Sequence, residues 1–170
     1  MSSVKPIAIV QGAESAEIQR LFRAFADRHA GTARIAGAIE EGEPGQGRKS
    51  NKLRSLSDGL SYPVFQDLGA GASGCSLDPS SVVLASEAVR AGIEAGCDLV
   101  VLSKFGKMEA LNGSGLIPAF AAAIEADIPV LTSVAPKFAA EWDAFADPYY
   151  TTLPADEDAV ESWWQAVNGS

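Results

Sequence analysis

The residues best placed to do chemistry are two lysines three apart around a glycine, in Ser103-Lys104-Phe105-Gly106-Lys107-Met108-Glu109. A Gly-rich turn, Asn112-Gly113-Ser114-Gly115, follows closely. Ammonium groups beside such a turn form a positive pocket for a phosphate-like anion, because lysines and free backbone amides both donate to it. A second loop, Gln11-Gly12-Ala13-Glu14-Ser15, offers backbone and hydroxyl donors where a strand passes into a helix, and a third, Val134 to Lys137, ends in another lysine. The candidate ligand-binding residues are therefore Gly12, Ser15, Ser103, Lys104, Lys107, Gly113, Ser114 and Gly115. Each has a plainer reading beside it. The first loop could simply cap a helix, with Glu14 and Glu17 favouring the helix dipole and competing with an anion, and the lysines could sit on a solvated turn.

Secondary candidates are Lys52, Arg54, Cys75, Asp78 and Lys137. Lys52 and Arg54 belong to a basic run with Arg48 and Lys49, and strand alternation puts these two on one side, as a clamp over an anion or as a charged edge that discourages aggregation. Asp78 precedes Pro79 and reads as a helix cap, with magnesium binding as its alternative. Glu109 could likewise activate water or pair with a lysine on the surface. Cys75 could be a soft ligand or redox handle, though no basic neighbour in sequence supports it. His29 is the sole histidine, and Cys75 and Cys97 are the only cysteines. One chain cannot then build a closed zinc site, and a histidine general base is ruled out unless His29 faces a cleft. No catalytic residue and no metal ligand is assigned.

The elements that must position these loops follow from periodicity. Ile7 to Val10 is a continuous apolar run, as in strands buried on both faces. From Ser15 the spacing turns helical, with Ile18, Leu21, Phe22 and Phe25 on one face, and ends before Gly31. Thr32 to Ile39 is the second strand, and Glu40 to Arg48 has no periodicity and reads as a loop. Ser50 to Ser57 and Leu60 to Asp67 flank Asp58-Gly59, a tight-turn dipeptide, and make an antiparallel hairpin insertion over about 49–67. The chain then alternates again. A helix runs from Pro79 to Ala95, a strand from Asp98 to Leu102, a helix from Leu116 to Ala126 and a strand from Ile128 to Val134. A short helix over Phe138 to Phe145, a strand over Tyr149 to Leu153 and a helix over Asp156 to Val167 close the pattern. This predicts one α/β domain over 1–170, a three-layer mostly parallel sheet with helices on both faces. In such sheets ligands collect beyond the carboxyl ends of the strands. Trp142, Trp163 and Trp164 fall in amphipathic segments and read as core.

The net charge is −9 over 170 residues, with a hydrophobic share of 47%. That excludes a general nucleic-acid binder, which needs a surplus of Lys and Arg. No apolar stretch is long enough to span a bilayer, and the beginning of the chain lacks the pattern of a signal peptide, so membrane insertion is not expected and a cytoplasmic location is.

The segments Gly74-Cys75-Ser76-Leu77-Asp78-Pro79 and Leu102-Ser103-Lys104-Phe105-Gly106-Lys107-Met108-Glu109, with Gly113-Ser114-Gly115-Leu116 and Ile128-Pro129-Val130-Leu131, resemble an uncharacterised bacterial family of single-domain proteins, a domain of unknown function often encoded beside molybdate-transport genes. That family in turn resembles the small P-loop nucleoside triphosphatases. They share the strand, helix and inserted-hairpin order and carry an Asp-Glu pair where this chain has Ser103-Lys104. The Gln11 loop also lacks the later Gly and the Lys-Ser/Thr pair that grip phosphates and magnesium. The resemblance therefore implies a degenerate relative that binds, sequesters or senses a tetrahedral oxyanion such as molybdate or tungstate, or a nucleotide, without turning it over. The cofactor is left open, with such an oxyanion or nucleotide as the candidate ligand. Two alternatives stand beside it: a nucleoside triphosphatase with an unconventional site, and a regulatory interaction module of a transporter. A homo-oligomer or a transporter-associated partner fits each.

Overall fold

The computed structural model describes residues 4–42, 51–66, 76–77 and 79–169. Ile7–Gln11 forms β1, buried from Ile7 to Val10. Ser15–His29 forms α1, in which Ile18, Phe22 and Phe25 recur at helical spacing on the buried face. β2 is Ile35–Glu41, later than the expected start at Thr32, because the Thr32 and Ala33 amides both donate back to the His29 carbonyl and close a turn. It also runs further than expected. Glu40, assigned to a loop by its lack of periodicity, is buried inside the strand.

β3 (Lys52–Ser55) and β4 (Ser61–Pro63) are the predicted antiparallel hairpin. Its loop is longer than a two-residue turn: the Ser55 amide donates to the Leu60 carbonyl, and the Leu60 amide to Asp58 Oδ1. A second, two-stranded sheet pairs β5 (Phe65–Gln66) with β6 (Ser76–Leu77). Then come α2 (Pro79–Glu94), β7 (Leu99–Leu102), α3 (Lys107–Asn112), α4 (Ile117–Glu125), β8 (Val130–Ser133), α5 (Ala139–Ala146), β9 (Tyr150–Pro154) and α6 (Glu157–Asn168). The helix α3 is an addition to the expected pattern.

The main sheet has the order β4-β3-β2-β7-β8-β1-β9. β2, β7, β8, β1 and β9 are mutually parallel, and the hairpin extends the β2 edge antiparallel to it. One face carries α1 and α6, where Phe22, Phe25, Trp163 and Trp164 pack on Ala8, Val10, Val101 and Leu131. The other carries α2, α4 and α5, where Val89, Phe120 and Trp142 pack on Ile7, Ile9, Val100 and Val130. All three tryptophans are core, and burying each large apolar side chain stabilises the fold by roughly 1.5–3 kcal/mol. The result is a three-layer α/β fold of the P-loop nucleoside triphosphatase type. Among the described residues, no helix is long and apolar enough to cross a membrane.

This order places a divergence between neighbouring strands. β1 and β8 lie side by side, yet the chain leaves β1 over one face through α1 and leaves β8 over the other through α5. The two exits separate at the carboxyl ends, and a crevice opens there, as it does at the switch point of other open parallel sheets.

Candidate functional site

The crevice holds about 640 Å3, within the usual range for small-molecule sites. Its floor is the carboxyl edge of β1, β7 and β8. Gln11, the polar residue that ends β1, donates from Nε2 to the Val134 carbonyl at 2.7 Å and ties two of these strand ends together. The Phe105 amide donates to the Ser133 carbonyl at 2.8 Å and ties the third. Gly12 follows with φ +97, a left-handed turn that lets the chain swing from β1 into α1 without a Cβ penalty.

Lys104, Lys107 and Lys137 all line the crevice, together with Gly12, Ser15 and the aromatic Phe138. Among the described residues, none that lines it is acidic, although Glu14 stands between Ala13 and Ser15, which do line it. In a chain of net charge −9 that is a strong local reversal of sign. Glu17, expected to oppose an anion here, faces a different groove of about 580 Å3 between α1 and α6, where Asp156, Glu157 and Asp158 join it. With Arg20 the one cation on that lining among the described residues, the groove is acidic on balance. Lys107 and Lys137 are exposed, and Lys137 lies over the Phe138 ring at 5.2 Å from its centroid.

Lys104 differs from the other two. Its Nζ lies 3.2 Å from Glu40 Oε2, on a carboxylate whose side chain is 6% exposed. Glu40 is the centre of a buried polar network that sequence reading missed. Asn51 Nδ2 donates to its Oε1 at 2.6 Å, and its own amide donates to Gln19 Oε1 at 2.9 Å. Gln19 Nε2 in turn donates to the Ser103 carbonyl at 2.8 Å, which also accepts from Ser133 Oγ at 2.9 Å. The available signal was position: a charged residue at the carboxyl end of a buried strand costs several kcal/mol unless it is paired, and so marks a site.

The remaining candidates fall elsewhere. Ser103 is buried, and its carbonyl is taken up by that network. Gly113, Ser114 and Gly115 do not line the crevice. Gly113 ends α3, and the turn as a whole surrounds Glu109, whose Oε1 accepts the Gly106 amide and whose Oε2 accepts the Leu116 amide, each at 2.8 Å. Burial pushes the Glu109 carboxyl above its ordinary pKa, against the lowering effect of those amides and of Lys104. Glu109 is thus a buried tie between α3 and α4, lining a cavity of about 50 Å3 beside the crevice, and is neither an exposed lysine partner nor part of the crevice lining. Lys52 and Arg54 do not close over the crevice either: Arg54 Nε lies 3.0 Å from Glu41 Oε1, which Arg23 also approaches at 3.2 Å, and Lys52 is exposed on the hairpin. Cys75 and Asp78 lie outside the described residues. Among the described residues, no three His, Cys, Asp or Glu side chains are grouped to hold a metal ion.

Fold and crevice together define an α/β protein of the P-loop nucleoside triphosphatase type with a lysine-lined pocket at its switch point. The chain belongs to the family described as protein of unknown function (DUF2478), whose model matches residues 7–163. It is also 41% identical over 110 residues to the molybdenum import ATP-binding protein ModC 2 of Bradyrhizobium diazoefficiens, a stretch that is 65% of this chain and 12% of that protein. The chain therefore spans only a small part of this curated relative. No solved structure matches it.

Proposed function

We propose that the chain binds a phosphate-like anion, a tetrahedral oxyanion such as molybdate or tungstate or the phosphate end of a nucleotide, in the crevice beyond β1, β7 and β8, without turning it over. The observation that carries this reading is the convergence of Lys104, Lys107 and Lys137 on a crevice whose lining, among the described residues, includes no carboxylate. Lysines bind such anions as point charges and need no metal. The loop after β1 lacks the Lys-Ser/Thr pair of a working P-loop, and the end of β7 carries Ser103-Lys104 in place of a magnesium-binding acid. These departures support a degenerate member of the class, and a binding rather than a hydrolytic role. Similarity to a protein named for molybdenum import and for ATP binding supports both ligand classes, and a place in molybdenum homeostasis.

Two observations favour other readings. Glu40 brings a carboxylate to the end of β2 beside β7, which a nucleoside triphosphatase could use. The similarity to a short part of a much longer transport protein suits a regulatory module that touches a transporter.

A thermal-shift titration with molybdate, tungstate, sulfate, phosphate, ATP and GTP, each with and without magnesium, together with an assay of phosphate release from ATP, separates the three. An anion-dependent rise in melting temperature that is lost in the Lys107→Ala, Lys137→Ala double variant supports the binding reading, since a ligand stabilises by mass action. Phosphate release from ATP that stops in Glu40→Gln supports the hydrolase. No shift from any ligand leaves the interaction module.

A further inference from the structure

We infer that Glu40 sets the charge of the crevice to suit a dianion, by neutralising one of its three lysines while leaving that lysine in reach of the ligand. The inference rests on the crevice being the anion site proposed above. Lys104 lines both the crevice and the small cavity that holds Glu40, so it stands between them. The Glu40 side chain is 6% exposed and Lys104 is 37% exposed. A carboxylate that buried cannot be left without its cation, which would cost several kcal/mol, so Lys104 cannot abandon Glu40 to serve a ligand. An ammonium has three N–H donors. One is engaged by Glu40 Oε2, and the others remain available on the exposed side.

Lys107 and Lys137 have no such restraint: neither is in an ion pair among the described residues. With the Glu109 carboxyl in the cavity behind it turned onto the Gly106 and Leu116 amides, three ammonium groups and the Glu40 carboxylate, among the described residues, leave two net positive charges at the crevice. A tetrahedral dianion balances them. A monoanion of the same shape leaves one positive charge unbalanced, and a triphosphate brought in without a metal leaves excess negative charge; both are disfavoured. Asn51 donates to the other oxygen of Glu40 and fixes the carboxylate in place, so the hairpin's first strand helps hold this charge setting.

The test compares anions that differ in charge at fixed ionic strength. Tungstate and perrhenate are both tetrahedral, with charges of minus two and minus one, and tripolyphosphate carries more. The unmodified protein is expected to bind tungstate about tenfold more tightly than perrhenate and more tightly than tripolyphosphate. Glu40→Gln, which keeps the shape and the Asn51 contact, should raise tripolyphosphate affinity by about tenfold and steepen its salt dependence, with a smaller gain for tungstate. The double variant Glu40→Gln, Lys104→Met restores the net charge, so it should restore the dianion preference even at lower affinity. An unchanged charge preference in Glu40→Gln, or a preference in the double variant that follows the single one, overturns the role of Glu40. If the single variant does not fold, the double variant alone decides, because a loss of tungstate preference there contradicts the charge setting. If the unmodified protein binds none of these anions, the underlying binding reading falls as well, so the two failures are distinguishable.

Discussion

Lys104 Nζ lies 3.2 Å from Glu40 Oε2, joining the carboxyl ends of two adjacent parallel strands, β7 and β2. The pair lets a lysine stand at a position where a P-loop enzyme keeps an acid, and lets the acid lie one strand further over, behind it. An anion entering from solvent meets the ammonium first.

This pairing makes Lys104 structural as well as crevice-lining. Lys104→Ala should lower stability by about 2 kcal/mol in urea denaturation, chiefly because Glu40 is left buried without a cation. Adding Glu40→Gln to that variant should recover most of the loss. Equal instability of the single and double variants would show that the pair is not the cause.

Gly115 holds φ +64, and a Cβ there would come within 2.1 Å of Glu109 Oε2. Gly115→Ala should therefore force the Glu109 carboxylate off the Leu116 amide and destabilise the protein by about 2 kcal/mol, a fall of roughly 4–8 °C in melting temperature for a chain of this size. Scanning calorimetry of the variant checks it. An unchanged melting temperature would contradict the role of the turn as the tie between α3 and α4.

Helices α1 and α6 are joined by Glu161, whose Oε1 lies 2.6 Å from His29 Nε2 and 2.9 Å from Arg28 Nη2. Partial burial alone would raise the Glu161 pKa, but hydrogen bonds from His29, Gln165 and Arg28 outweigh it and hold the carboxyl at about 2, below its usual 4.5. A carboxyl depressed on folding stabilises the native state above its unfolded pKa. That contribution fades as the pH falls from about 4.5 towards 2. Glu161→Gln should thus be less stable than the parent by about 1 kcal/mol at pH 7, with the difference vanishing near pH 2. Denaturation curves at several pH values test this, and a gap that persists into acid would rule it out.

Most of the scaffold was legible because its signals are local. The apolar run of β1 and the 3.6-residue rhythm of α1 lie within their own segments, and so do Lys104 and Lys107. What the sequence hid depends on contacts between distant segments. Glu40 looked like the start of a loop, since a strand buried on both faces shows no alternation to mark its polar end. The six residues of α3 are too few to display a helical period, so the Gly-rich turn after them resembled a ligand loop when it is in fact the cradle of Glu109. His29 and Glu161 are 132 positions apart, and no spacing rule connects them.

The central claim is that the lysines of the switch-point crevice hold an anion. Calorimetric titration of tungstate into the unmodified protein and into the Lys107→Met, Lys137→Met double variant tests it most directly, because both side chains are exposed and their loss should leave folding intact. The account predicts binding in the first and at least about a tenfold loss in the second, with a weaker dependence on salt as two charges are removed. Equal affinity in the two proteins would place the anion elsewhere and contradict the account.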